Sequence, residues 1–401
     1  MMFNKTMLGW SAACAMLAIS GAASASGFAL IEQSASGMGN AFAGGSASAD
    51  DASTIFFNPA GMSRLAGKQI AIAAHFIKPS AKFSGTGVNT NSGGDAGSLA
   101  FVPNAYYSME AEPNLHVGVG INAPFGLQTK YASDWAGQHQ AIKSKLETVN
   151  INPSVAYRVN EALSIGAGLN YQRIKGELSY NGGAVLGTSV VKGSDSTWGY
   201  NLGLLYDADA NSRLGMSYRS AMKYTLTGTV ETALPFANSS ASLDIKLPDV
   251  FSMSVFHKLS DTMDVMGDVS FTGWSSFKQV KVVNASGATI SNTIENWRDT
   301  KRFSVGANHH YSDQWLARAG LAYDQSPVKA EFRTARIPDS DRTWLALGGQ
   351  YKPDAATAID FGYAHLFVKD SSINSTSPGP ALVGTYKNKV DILSVQYTHS
   401  Y

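Results

Sequence analysis

Charged residues are scarce in this chain. Asp, Glu, Lys and Arg together make up 15% of its 401 residues, whereas soluble globular domains contain roughly 25%. The formal net charge is +1, which argues against nucleic acid as a partner because such partners select a basic surface. No run of 18 apolar residues follows the first residues of the chain, which argues against helical membrane spans.

Cysteine occurs once, at Cys14, and the start of the chain has the pattern of an export signal. Lys5 precedes an apolar stretch from Met7 to Ile19 that is too short to span a bilayer. Ala-Ser-Ala at positions 23–25 matches a cleavage site, so we expect a signal peptide over residues 1–25 and a mature chain that begins at Ser26. A lipoprotein box ending at Cys14 is the alternative, but it lacks a leucine three residues earlier. If the signal peptide is removed after residue 25, the mature chain contains no cysteine and therefore no disulfide.

From Lys68 onward, apolar and polar residues alternate with a period of two, which predicts strands that have one face of each kind. In one such stretch, apolar Trp198, Tyr200, Leu202 and Tyr206 alternate with Gly199, Asn201 and Gly203. The pattern predicts fourteen strands, which begin near Gln69, Phe101, Leu115, Val149, Leu163, Thr197, Arg213, Val250, Met263, Arg302, Trp315, Thr343, Ala358 and Val390.

The connections between these strands alternate in length. Short ones such as 112–114 and 160–161 are followed by long ones such as 84–98 and 128–147. Outer-membrane barrels have this arrangement, whereas Greek-key sandwiches do not sort their loops by length. Charges avoid one face of the strands, as a lipid exterior requires, and the other face fits a polar lumen. The fold class is therefore an all-β, fourteen-stranded antiparallel barrel in the outer membrane of a Gram-negative bacterium, over residues 68–401.

Residues 26–67 lack this alternation and are rich in Gly, Ala, Ser and Asp. A disordered periplasmic tail is one interpretation of such a composition. The other is a plug, because a lumen enclosed by fourteen strands leaks unless it is filled. Asn58-Pro59-Ala60 and the neighbouring Phe56 and Phe57 suit a packed turn, since proline fixes the backbone and removes a hydrogen-bond donor.

The mature sequence resembles the FadL family of outer-membrane channels for long-chain fatty acids and other hydrophobic compounds. The residues that carry this resemblance are 27–30, 32–39, 50–53, 58–61, 122–127, 247–249 and 337–342. The resemblance implies that residues 26–67 form a hatch inside the barrel and that the third strand is kinked. Pro124 and Gly126 suit a kink better than a ladder, so we place the gate there, with Asn58, Pro59 and Ala60 on the hatch side. We expect Asn58 to contact the kinked stretch or its neighbours; a plain kink at the rim is the alternative.

A fatty acid needs an apolar tunnel for its tail and a cation for its carboxylate. Arg298 shares strand parity with Arg302, so both are candidate ligands, and Phe28 could cap a chamber from the hatch side. The family also supplies a basic residue late in its fifth strand, which maps to Arg173 or Lys175. Both share parity with lipid-facing residues, so either a bulge intervenes or they lie above the bilayer. For each basic residue, a lumen or loop ion pair is the alternative.

Two long loops contain apolar runs that could capture a hydrophobic ligand. The residues concerned are Val185, Leu186, Leu234 and Phe236. The family has a low-affinity groove between these loops, and local packing is the alternative.

No catalytic motif has its required spacing, so we expect neither an enzyme nor a cofactor or metal site. The expected function is passive transport of long-chain fatty acids or similar compounds. It would proceed by capture at the outer loops, an interior site, hatch rearrangement and exit through the wall. A hydrocarbon channel of the same fold and a surface adhesin are the alternatives.

Expected partners are the ligand, outer-membrane lipid and lipopolysaccharide, and the barrel assembly machinery, which recognises an aromatic-ended final strand. The protein is expected to be a monomer.

Overall fold

The computed structural model describes residues 26–86, 90–376 and 379–401, so the expected signal peptide lies outside the described residues. Twenty strand segments form one antiparallel sheet that closes where β1 pairs with β20. They are β1 (Lys68–Gly85), β2 (Ala100–Glu112), β3 (Leu115–Asn122), β4 (Gly126–Lys130), β5 (Lys143–Arg158), β6 (Leu163–Asn181), β7 (Thr188–Asp207), β8 (Ser212–Arg219), β9 (Met222–Glu231), β10 (Ser239–Leu247), β11 (Val250–Ser260), β12 (Met263–Thr272), β13 (Gln279–Asn284), β14 (Thr289–Ile294), β15 (Thr300–His310), β16 (Trp315–Asp324), β17 (Arg342–Tyr351), β18 (Thr357–Val368), β19 (Ser371–Ser375) and β20 (Leu382–Ser400).

Six of these segments continue a neighbour across a short break, so the wall has fourteen strands, as the sequence predicted. The strands predicted to begin at Val149, Thr197 and Val390 begin earlier, as β5, β7 and β20. In these first residues of the strands, charged side chains such as Lys145, Lys192 and Lys387 stand where apolar ones would mark the alternation. The sequence pattern therefore does not show that the strands begin there. The breaks matter for function because the chain can turn a large side chain inward at each of them.

The two faces of the wall differ as the alternation predicted. On β6, Asn170 and Gln172 are buried inside, while Leu169 and Tyr171 are exposed on the outside. An exterior of large exposed apolar residues fits contact with lipid, and a polar interior fits a water-accessible lumen. Among the described residues, no helix combines the length and the apolar character needed to cross a membrane.

Residues 26–67, which we call the N-terminal segment, are mostly buried and pack against the inward-facing side of the wall. Short helices α1 (Ala35–Met38) and α2 (Thr54–Phe57) and a 3-10 helix (Pro59–Arg64) are joined by tight turns. Buried polar side chains attach the segment to the wall: the Gln396 amide donates to the Asp51 carboxylate (2.8 Å). Outside the segment, the remaining helices are α3 (Gly183–Leu186) and 3-10 turns at Pro235–Ala237, Trp274–Ser276 and Ala330–Phe332.

A ring of inward-facing wall glycines allows the backbone of the N-terminal segment to lie directly against the wall. A Cβ atom at any of these positions would meet atoms of the segment within 3 Å. The members of this glycine belt are Gly118, Gly166, Gly203, Gly215, Gly306, Gly320, Gly348 and Gly362. Glycine has no side chain, so it permits a close backbone approach that no other residue allows.

One buried ion pair inside the wall leads to a stability prediction. Arg318 on β16 donates to Asp360 on β18 (2.6 Å), and their side chains are 2% and 1% exposed. Arg318→Met should reduce the free energy of unfolding by about 3–5 kcal/mol, because it leaves a buried carboxylate without its cation. Arg64→Met is the matched control: Arg64 pairs with Asp207 (2.8 Å) at partly exposed positions, where a pair contributes less than about 1 kcal/mol. Urea unfolding of both variants in lipid vesicles measures the difference, and equal losses would contradict the prediction.

Candidate ligand channel and gate

The third wall strand is interrupted between β3 and β4, at Ala123, Pro124 and Phe125. The register with β5 also changes there: Asn122 pairs with Asn150, but Gly126 pairs with Glu147. Proline cannot donate to a ladder, so the sequence-based prediction of a break at Pro124 agrees with the fold. We call this stretch the wall interruption.

The N-terminal segment supplies the missing backbone partners at the wall interruption. The Leu30 amide donates to the Pro124 carbonyl (2.8 Å), and the Gly126 amide donates to the Phe28 carbonyl (2.9 Å). Ala29 and Phe125 thereby form an antiparallel bridge. The Gln33 amide group donates to the Ala123 carbonyl (3.0 Å). The chain that fills the lumen is therefore also the chain that closes the gap in the wall.

Phe28 lies at the centre of an aromatic cluster. Its ring centroid is 4.7 Å from that of Trp274, 5.5 Å from Phe277, 5.6 Å from Trp297 and 6.1 Å from Phe125. Each of the four partners lies at a break between strand segments, where the chain leaves the ladder and its side chain turns inward. The cluster is apolar, buried and continuous with Leu127, Leu146, Leu226 and Leu247. It can hold the tail of a hydrophobic ligand.

A buried carboxyl group borders this cluster on the loop between β14 and β15. The Trp297 indole donates to Glu295 (2.9 Å). Glu295 is 1% exposed, so the edge of the cluster has one carboxyl group that is shielded from water.

A lumen cavity of about 140 Å³ extends from the aromatic cluster along the N-terminal segment. Ligand pockets usually measure about 300–1,000 Å³, so a long-chain ligand requires the segment to move. The cavity is lined by, among others, Phe42, Phe56, Phe57, Pro59, Pro124, Phe125, Arg219, Asp268, Arg302 and Asp324. It therefore adjoins the wall interruption at one side and offers aromatic, cationic and acidic groups at the others.

Two arginines of the lumen cavity have donors directed at neutral groups. Arg302 donates to the Ala41 carbonyl (2.8 Å) and to the Ser304 hydroxyl (3.3 Å). Arg219 donates to the Phe56 carbonyl (2.9 Å) and lies 4.3 Å above the Phe56 ring. Among the described residues, no carboxylate lies within 4 Å of either guanidinium. Both can therefore accept an anionic partner.

Asn58 makes its wall hydrogen bond with β7 and not with the stretch around Pro124, so its predicted role at the gate stays a prediction. Its amide donates to the Ser46 carbonyl (2.6 Å) and to the Leu204 carbonyl on β7 (2.9 Å). Pro59 and Ala60 pack beside it against the glycine belt at Gly166 and Gly203. The motif is fixed to another part of the wall, because the turn that contains Pro59 follows α2 and lies far along the segment from Phe28.

Three of the predicted cationic ligands have exposed side chains and do not line the lumen cavity. Arg298 precedes β15, so strand parity does not govern it; its half-exposed side chain pairs with Asp341 (3.5 Å). Arg173 and Lys175 are exposed on the outer face of β6. The pairing of β6 with β7 is continuous through both positions, so no bulge turns them inward. The alternative that they lie above the bilayer is the one that fits. Of the five predicted ligand-binding residues, Phe28 belongs to the aromatic cluster and Arg302 lines the lumen cavity.

The two loops predicted to capture ligand touch each other at the end of the barrel with the long connections. The Ala233 amide donates to the Leu186 carbonyl (2.9 Å). Val185 and Phe236 are 71% and 85% exposed, whereas Leu186 and Leu234 are half-buried. The loops therefore present an exposed apolar surface and also pack together, and ligand capture there stays a prediction.

The family model described as outer membrane protein transport protein (OMPP1/FadL/TodX) matches residues 16–401. This chain belongs to that family. A long-chain fatty acid transport protein from Salmonella typhi is 31% identical to it, over 93% of this chain and 95% of the relative. A solved FadL homologue from Pseudomonas aeruginosa is 25% identical and superposes with a TM-score of 0.86, over 93% of this chain and 99% of that one. The Pseudomonas putida toluene transporter TodX is 16% identical with a TM-score of 0.70, over 93% and 99% of the two chains, and shows the fold alone.

The FadL-family assignment confirms the resemblance, the outer-membrane barrel and its location in a Gram-negative outer membrane. The family model describes outer-membrane transport proteins, which agrees with a transport channel. Sequence reasoning missed Arg219 and the inward aromatic residues at the strand breaks. A proline or glycine directly before an aromatic residue, as in Pro124-Phe125 and Gly273-Trp274, was the signal that could have found two of them.

Proposed function

We propose that this channel imports long-chain fatty acids or similar hydrophobic compounds passively, with lateral exit through the wall interruption. The observation that carries this proposal is that residues 28–30 contact both the aromatic cluster and the wall interruption. Phe28 fills the aromatic cluster, while the backbone of the same residues closes the wall interruption. A ligand that displaces Phe28 from the cluster also displaces the backbone of residues 28–30, which closes the wall interruption. Occupancy of the interior site is thereby coupled to opening of the wall.

The route has four stages on the described residues. The exposed apolar surface around Val185 and Phe236 captures the ligand by burying its tail. The tail then enters the aromatic cluster and displaces Phe28. Residues 28–30 separate from Pro124 and Gly126, which frees backbone groups that water or lipid headgroups can reach. The ligand leaves sideways into the membrane, so its tail never crosses the polar periplasmic end of the lumen.

Uptake by cells tests the transport proposal. A strain that lacks its own fatty acid channel should gain uptake of labelled oleate when it expresses this chain, and labelled toluene in the same cells tests the hydrocarbon alternative. That alternative is favoured by one observation: the side chains of the predicted cations Arg173, Lys175 and Arg298 are exposed and do not belong to the buried aromatic cluster. Uptake of toluene without oleate would support it, and uptake of neither would contradict transport of hydrophobic compounds.

Arg219 and Arg302 are the cations that we assign to the carboxylate. Replacing both by Gln should weaken oleate binding by tenfold or more, because a hydrogen bond to a charged group contributes roughly 1.5–3 kcal/mol. Binding of octadecane, which has no head group, should change far less. Arg298→Gln is the matched control, since its side chain lies outside the cavity and is ion-paired. Tryptophan fluorescence titration of the purified protein measures both ligands; equal losses for the two would show that the arginines only support the fold.

A further inference from the structure

Strands β5, β6 and β7 extend well beyond the lipid-facing band at the end of the barrel with the long connections. The band ends at Tyr171 and Trp198, which are directly paired and have ring centroids 5.0 Å apart. Aromatic residues of this kind mark the interface between hydrocarbon and headgroups. Since long loops lie on the extracellular side of such barrels, the outward residues beyond this pair lie at the headgroups of the outer leaflet.

Among the charged outward residues beyond the aromatic pair, basic residues predominate. The strand register places them in successive rows, each about 7 Å further along the strand. Arg173 is in the first row, Lys175 with Glu147 in the second, Lys145 and Lys192 with Glu177 in the third, and Lys130 and Lys143 with Glu231 in the fourth. Six basic side chains thus share one outer surface with three acidic ones. We call the six basic residues the basic surface.

The charges of the basic surface are incompletely neutralised. Lys143 pairs with Glu177 (2.9 Å), Lys145 with Glu147 (2.7 Å) and Lys192 with Glu231 (3.2 Å). Among the described residues, no carboxylate lies within 4 Å of Arg173 or Lys175. Lys130 and Lys143 lie directly opposite each other on β4 and β5, an arrangement that destabilises a strand pair unless an anion lies between the charges.

A shallow groove of about 360 Å³ runs across the basic surface. Lys145, Lys175 and Lys192 line it together with Ser194, Thr227 and Thr229. Glu147 and Glu177 also line it, and their carboxylates pair with Lys145 and Lys143. Gly176, Gly193 and Gly228 pair across the three strands and also line the groove, where only their backbone can contribute because their Cα atoms face the inner side of the wall. The cationic and hydroxyl donors of the groove suit the three oxygens of a phosphate group.

We propose that the basic surface binds the phosphate groups of a phosphorylated glycolipid in the outer leaflet, the lipid A part of lipopolysaccharide. Three properties of the basic surface support this lipid. The surface begins one row beyond the aromatic pair, at the level of the lipid headgroups. It carries a net positive charge, and its donors suit phosphate. The lipid's acyl chains then lie against the apolar exterior below, next to Leu169 and Leu202. A membrane lipid fits better than a soluble anion because the acyl chains and the phosphate are recognised at the same time.

The test compares Arg173→Gln/Lys175→Gln with Lys68→Gln/Lys352→Gln, which removes two exposed lysines at the end with the short turns. Purified full-length protein in detergent is titrated with bisphosphorylated lipid A, with dephosphorylated lipid A and with inorganic phosphate, and bound lipid is counted by native mass spectrometry. A basic residue near an anionic surface contributes about 1 kcal/mol, or about fivefold in affinity. The first variant should therefore bind bisphosphorylated lipid A about 25-fold more weakly, while the control matches the parent.

Two further results decide the proposal. Parent protein should bind dephosphorylated lipid A no better than the first variant binds the bisphosphorylated form, and millimolar inorganic phosphate should not displace the lipid. Equal affinity of both variants for bisphosphorylated lipid A would overturn the proposal, as would displacement by inorganic phosphate, which would make the groove a small-anion site. Heat-modifiable gel mobility confirms that each variant is folded, and Gln keeps a flexible polar side chain without the charge at both positions.

Discussion

A channel that carries Ala29→Cys and Phe125→Cys should lose nearly all oleate uptake when oxidised and regain it when reduced. Residues 29 and 125 form the bridge between the N-terminal segment and the wall interruption, and their flanking amides make the two hydrogen bonds. Such a non-hydrogen-bonded antiparallel pair has Cα atoms about 4.5 Å apart, within the range that a disulfide spans. The bond would hold residues 28–30 against the wall, so neither the interior site nor the gap could open.

Labelled oleate uptake by cells, with and without a membrane-permeant reductant, measures this effect. A Cys14→Ser background leaves the two introduced thiols as the only ones in the chain. The matched controls are the two single-cysteine variants, which lack the cross-link but share the loss of the Phe125 ring or the added sulfur at position 29. Unchanged uptake in a fully cross-linked channel would show that the ligand leaves elsewhere, along the lumen axis into the periplasm.

Gly203→Leu should convert the channel into a leaky pore. A Cβ at position 203 would lie 2.0 Å from the Asn58 side-chain oxygen and 2.9 Å from Pro59. One of the two sides must move, and β7 is bonded to β6 and β8 on both edges. Asn58 contributes two side-chain hydrogen bonds at this contact, so the N-terminal segment is the weaker side. Its displacement leaves a water-filled path beside the lumen cavity.

Ion conductance in planar bilayers measures the leak, with a rise from near zero to open-pore steps as the expected result. Gly267→Leu is the matched control: this glycine is also in a wall strand, but its nearest atoms would be 3.5 Å away or more, and its side of β12 faces lipid. Heat-modifiable mobility should show folded barrels in both cases. If Gly203→Leu stays as tight as the parent, the Asn58-Pro59-Ala60 contact does not hold the seal.

The sequence predicted the wall well because a lipid exterior and a polar lumen impose a strict alternation on every strand. It predicted the break at Pro124 because proline has no donor for a ladder. Arg298 was misplaced because the strand breaks just before Thr300, and parity holds only inside a continuous strand. The wall strand that Asn58 contacts could not be predicted because nothing local says which wall strand an irregular segment will meet. Arg219 has the expected inward parity, but its approach to Phe56 depends on tertiary packing that no short motif records.

The glycine belt has a consequence for the order of assembly. The N-terminal segment is synthesised before the wall, yet the glycines that it rests on extend from Gly118 to Gly362 along the chain. Contacts between residues so distant in sequence form late in folding, because long loops must close first. The seat for the segment is therefore complete only when nearly all wall strands are paired. We infer that the last step, the meeting of β1 with β20, closes the barrel around a segment that is already inside it.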